Sequence, residues 1–129
     1  MINSAKSDVP KGTKEWLKRY LPKNERNIVF THVPFDTQPI RRFIMDTDPR
    51  KNMTKYVQSH APDLFDEQIQ QQVDFVFTGH LHFTGLIKEA KTEHHFIGMG
   101  ITPVNHNKGY TARCYMVNID DKIEYRVVE

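Results

Sequence analysis

The sequence predicts an α/β domain, and three observations carry that prediction. Residues 27–31 (Asn-Ile-Val-Phe-Thr) and 73–78 (Val-Asp-Phe-Val-Phe-Thr) are short apolar runs. Each follows a stretch with helical spacing of its apolar residues. Beyond residue 82 the chain breaks into short strand patterns parted by turn residues. Apolar runs bounded by turns read as buried strands, and strands that each follow a helix read as parallel neighbours in one sheet.

Taken in order, residues 13–21 place Trp16, Leu17, Tyr20 and Leu21 on one helical face, after a Gly-Thr start and before Pro22. The strand at 27–31 stops at His32-Val33-Pro34, since a proline cannot continue a central ladder. Residues 33–52, rich in Pro, Asp, Thr and Arg, read as a long surface loop of the kind that lines sites. Residues 53–60 and 63–72 read as helices, the second capped by Asp63. After the strand at 73–78, an antiparallel meander is expected over 83–89, 92–98, 110–119 and 122–128.

The composition excludes several classes. At 129 residues, with 38% hydrophobic and 26% charged residues, the chain is one globular domain without repeats or a dividing linker. No apolar run has transmembrane length, and residues 1–8 lack a signal-peptide core; localisation stays open, with cytoplasm only weakly favoured. Cys114 stands alone in a strand pattern, which makes it a small core hydrophobe and not part of a disulfide framework. A net charge of +2, without aromatics interleaved among the basic residues, argues against nucleic acid. The basic excess in the first 26 residues reads as a solvated helix face.

The chemistry lies in the histidines. His32 follows the first buried strand, and Gly79-His80-Leu81-His82 follows the second. Ligands of open α/β sheets gather at the carboxyl ends of strands, and Gly79 permits a sharp turn and close backbone approach there. Imidazole suits Zn, Fe, Ni and, with oxygen ligands, Mn, so His32, His80 and His82 are the candidate metal ligands. The other four histidines read as structural. His94 and His95 alternate across a strand, so at most one points inward; His60 ends a helix; His106 sits in a turn. Gly98-Met99-Gly100 has no following helix and is not a nucleotide loop.

These motifs, in this order, resemble the C-terminal half of the calcineurin-like metallophosphoesterases. The resemblance rests on Asn3-Ser4-Ala5, Glu15-Trp16-Leu17, the strand ending His32-Val33-Pro34, the Gly-His-Leu-His of 79–82, and the Gly98–Gly100 turn, and it covers nearly the whole chain. It implies a two-sheet sandwich flanked by helices, and hydrolysis of phosphate mono- or diesters at two divalent metals (Mn, Fe, Zn or Ni). By resemblance, His32 and His80 bind one metal and His82 the other.

The family's D-x-H, G-D-x-x-D and G-N-H-[DE] segments are absent from this chain, and with them the bridging carboxylate and the acid histidine. Two divalent cations roughly 3.5–4 Å apart need anionic ligands between them, and neutral imidazoles supply none. Asp36, Asp46 and Asp48 follow His32 with no spacing that marks them as substitutes. The expectation is therefore half an active site, inactive alone. Its partners would be a phosphorylated substrate and either the missing N-terminal half or a second copy of the chain. The alternative is a non-catalytic module of the same fold that binds metal or a partner protein.

Overall fold

The computed structural model describes residues 8–98, 114–120 and 123–128, and side chains in the last two segments only in part. The expectations for Asn3-Ser4-Ala5, Gly100, His106 and the Cys114 side chain fall outside those residues. Within them, the chain is a mixed α/β structure built on a four-stranded, mostly parallel sheet. The strands are β1 (Ile28–Thr31), β2 (Phe75–Thr78), β3 (Gly85–Glu89) and β4 (Thr92–Phe96), in spatial order β1-β2-β4-β3. The expected parallel pair is present, with Ile28 opposite Phe75 and Thr31 opposite Thr78.

The later strands depart from a simple meander. β4 pairs parallel to β2 and antiparallel to β3, so both join the first sheet, and only β5 (Cys114–Ile119) and β6 (Ile123–Val128) form a separate antiparallel hairpin. Side-chain and backbone bonds set the β2–β4 register: Thr92 donates to the Val73 carbonyl at 2.7 Å, and Ile97 N–H to the Thr78 carbonyl at 2.8 Å. At the start of β1, the Asn27 side-chain amide donates to the Leu21 and Gln72 carbonyls, and its backbone N–H donates to the Asp74 carboxylate.

Period-two alternation gives the sheet two apolar faces. Val29, Val76 and Phe96 point into the main core with Leu17, Leu21, Phe35, Ile40, Ile44, Leu64, Phe65 and Leu81. Phe75, Phe77 and Ile97 point the other way, against Ile28 and the β5 residues Val117 and Ile119. That second cover explains why His94 and His95 are both buried, at 0% and 3% exposure. Alternation does send them to opposite faces, but both faces are packed, so the expectation that only one lies inward fails. His94 sits against Phe35 and Phe65, and His95 is stacked on Phe77.

The helices need four corrections. α1 (Thr13–Tyr20) forms, yet only half its expected face is buried: Leu17 and Leu21 are, whereas Trp16 is 56% and Tyr20 38% exposed. Residues 33–52 are not one loop, because α2 (Gln38–Thr47) occupies their middle. Thr37 caps it by accepting the Ile40 N–H, Pro39 sits in the first turn where its missing N–H costs nothing, and Ile40 and Ile44 bury one face at i,i+4 spacing. Residues 53–60 hold a short 3-10 turn (Met53–Lys55) and irregular turns, leaving His60 exposed in a turn and not at a helix end. Residues 63–72 wind as a π-helical turn (Phe65–Ile69); the Asp63 contribution there is its backbone carbonyl, which accepts Glu67 N–H, and no side chain caps the turn. No helix among the described residues is long and apolar enough to cross a membrane.

Candidate metal centre

Thr31 and Thr78 are register partners, so the residues following them leave the sheet side by side. His32 comes one residue after β1 and His80 two residues after β2. Their rings meet edge to face at 5.0 Å, with His80 Nδ1 3.2 Å from His32 Nε2. The juxtaposition is a direct consequence of parallel pairing, and it puts the two imidazoles at the carboxyl end of the sheet.

Backbone geometry fixes His80. It lies in the left-handed region, at φ 60°, in a tight three-residue turn closed by Leu81 N–H on the Gly79 carbonyl at 2.6 Å. Leu81 is 1% exposed and anchors the turn in the main core. The unusual conformation thus belongs to His80 and not to Gly79, whose φ is ordinary and where a Cβ would meet His32 Nδ1 at 3.8 Å, a normal contact. Left-handed φ in a non-glycine residue costs about 1–2 kcal/mol and persists where packing over-determines it.

The second nitrogen of His80 settles its tautomer. Nε2 lies 3.0 Å from the Lys55 carbonyl, which can only accept, so Nε2 carries the hydrogen and Nδ1 presents a lone pair toward His32. Burial, and then the charges of His32, His82 and Arg50, push the His80 imidazole below its ordinary value, against the raising effect of the Lys55 bond. His80 is therefore neutral near pH 7 and available as a ligand. A backbone carbonyl on the far nitrogen is the usual support of a metal-binding histidine. The 3.2 Å separation is that of a hydrogen bond between the two rings, and it also falls within the roughly 3.1–3.4 Å that parts two nitrogens each about 2.0–2.1 Å from one zinc ion.

His82 is exposed and near enough for its charge to act on His80, but among the described residues no three His, Cys, Asp or Glu side chains form a metal-holding group. Two of the carboxylates after His32 are engaged elsewhere. Asp36 makes a two-point ion pair with Arg41, at 2.5 and 2.8 Å, and Asp48 pairs with Arg50.

Three contributors had no mark in the sequence. Gln58 is fully buried and donates to Thr31 Oγ1 at 3.0 Å and the Val33 carbonyl at 2.8 Å, bracketing His32 on both sides. Lys55 acts through its carbonyl, and the Tyr56 ring packs on His80 at 5.7 Å. Only long-range folding brings residues 55–58 to the strand ends, so no local signal would have found them. No family model matches the chain, and neither a curated protein nor a solved structure matches it.

Proposed function

We propose that this chain carries the strand-end histidines of a calcineurin-like metallophosphoesterase, the C-terminal part of its two-sheet sandwich. The observation that carries the reading is the His32–His80 pair, its nitrogens 3.2 Å apart at the ends of adjacent parallel strands. In that role His32 and His80 hold one divalent metal (Mn, Fe, Zn or Ni) and His82 the second. Metals bound there would polarise a phosphate mono- or diester and activate water for attack at phosphorus. The chain's own part is to orient: Gln58 fixes the backbone around His32, and the Lys55 carbonyl sets the His80 tautomer.

A second reading, a non-catalytic module that binds one metal or a partner protein, is favoured by the engagement of Asp36 with Arg41, which leaves that carboxylate unavailable as a bridge. Metal titration and reconstitution separate the two. The purified chain should bind about one zinc ion by equilibrium dialysis; His32→Ala and His80→Ala should lose most of that affinity, and His60→Ala should keep it. Alone, the chain should hydrolyse p-nitrophenyl phosphate negligibly, because loss of acid–base assistance commonly costs ~10²–10⁴ in rate. A polypeptide supplying the D-x-H and G-N-H-[DE] segments should restore turnover, and His82→Ala should remove it. Zinc binding without restored turnover would favour the module; zinc binding indifferent to His32 and His80 would sink both readings.

A further inference from the structure

Beside the histidine pair stands a guanidinium that the fold uses only in part. Arg50 lies over the Tyr56 ring at 4.7 Å, and Tyr56 in turn packs against His80, so the three side chains form a contiguous group. The charge of Arg50 is felt at His80. A guanidinium offers five N–H donors. Among the described residues, Arg50 uses Nη2 on the Asp48 carboxylate, while Nε is buried without an acceptor.

The Asp48 contact is a weak hold. Both partners reach solvent, with side chains 26% exposed for Arg50 and 51% for Asp48, and exposed pairs of this kind contribute little. Arg41 provides the contrast: both limbs of its fork engage Asp36, whose side chain is only 8% exposed. Arg41 is committed to structure, whereas Arg50 has donors to spare and a replaceable partner.

We propose that Arg50 is an anion subsite, exchanging Asp48 for the oxygens of a phosphate or phosphate ester that rests between it and the His32–His80 pair. A guanidinium fork matches two phosphate oxygens, and release of Asp48 frees the side chain to turn its Nε and Nη donors toward them together. Packing on Tyr56 limits the orientations lost on binding. Asp48 then acts as a tethered competitor that occupies the fork until a doubly charged anion displaces it. The role of the ester in a reaction rests on the proposed phosphoesterase reading; anion binding by Arg50 does not.

The test is titration of the whole chain, free of metal, with inorganic phosphate against chloride at equal ionic strength, following the Arg50 Nε–H and Tyr56 ring resonances by NMR. Phosphate should shift both signals saturably and chloride should not. Arg50→Gln should weaken phosphate binding at least tenfold, Arg50→Lys should recover only part, and Arg42→Gln on α2 should leave it unchanged. Asp48→Asn should tighten binding by about 1.5- to 5-fold, the worth of an exposed ion pair. Equal responses to chloride, unchanged binding in Arg50→Gln, or unchanged binding in Asp48→Asn would overturn the exchange. Zinc dialysis keeps the two ideas separate. Zinc binding without a phosphate response sinks the Arg50 subsite alone; a phosphate response without zinc binding sinks the metal reading alone.

Discussion

His94 is the residue whose burial has the clearest measurable consequence. It is fully buried between Phe35 and Phe65, neither ring nitrogen has a hydrogen-bond partner among the described residues, and Glu89 Oε2 is 3.6 Å from Nε2. Burial, with His95 adding a smaller push, lowers its pKa from 6.5 to about 4. As pH falls, the unfolded chain therefore takes up this proton first. The stability tied to a neutral His94 is complete above about 6.5 and is lost progressively down to about 4, on the order of 3 kcal/mol. Glu89, whose carboxyl is raised by burial and by Asp66, works the other way, protonating earlier in the fold than in the unfolded chain and offsetting part of the loss. His94→Leu should flatten the fall in urea midpoint between pH 7 and pH 4.5. It should also hold stability at pH 7, since it removes two unpaired buried nitrogens. Superimposable pH profiles for the two proteins would show that another group governs acid unfolding.

Among the elements, the strand ends are where glycine matters, and the glycines that follow β2 and β4 differ. Gly98 follows β4 with its Cα against the backbone of Phe83, where a Cβ would come within 2.8–2.9 Å of three main-chain atoms. Backbone cannot give way as a side chain can, so Gly98→Ala should lower stability by about 1–3 kcal/mol through overpacking. At Gly79 the nearest atom to a Cβ is His32 Nδ1 at 3.8 Å and φ is ordinary, so Gly79→Ala should change stability by no more than about 0.5 kcal/mol. Thermal melts of both variants test the contrast, and a larger loss at 79 than at 98 would contradict the strand-end packing. The close approach of two chain segments accounts for the first glycine of the G-x-G pattern.

For the molecule as a whole, the open β1 edge of the sheet is its defining liability. β1 pairs only with β2, and its other edge has no strand partner among the described residues. Phe30 on this strand is 47% exposed and stacks on Phe77 at 5.3 Å, while Trp16 and Leu17 of α1 line a groove beside Ile28 and Val29. An unpaired edge flanked by exposed apolar groups favours strand addition from another chain. The isolated chain should therefore self-associate in a concentration-dependent way by light scattering after size exclusion, and Phe30→Lys should reduce it. A monodisperse monomer at high concentration would refute this.

What the sequence determined by itself was the pair of parallel strands and the histidines at their ends. Continuous apolar runs as short as those at 27–31 and 73–78, bounded by turn residues, suit strands buried on both faces, and parallel pairing then delivers His32 and His80 to one place. Local signals misled where one residue type serves two purposes. Pro39 read as loop punctuation, yet it opens α2, because a proline in the first helical turn sacrifices no hydrogen bond. Residues 53–60 and 63–72 read as helices, yet those side chains pack from turns and a π-helical segment, since burial can be met by several backbones at similar spacing. Only the tertiary structure decided that β4 inserts beside β2, that a second apolar layer buries His95 as fully as the first buries His94, and that Lys55, Tyr56, Gln58 and Arg50 surround the histidine pair. Each depends on which distant segments share a face of the sheet, and spacing along the chain carries no record of that.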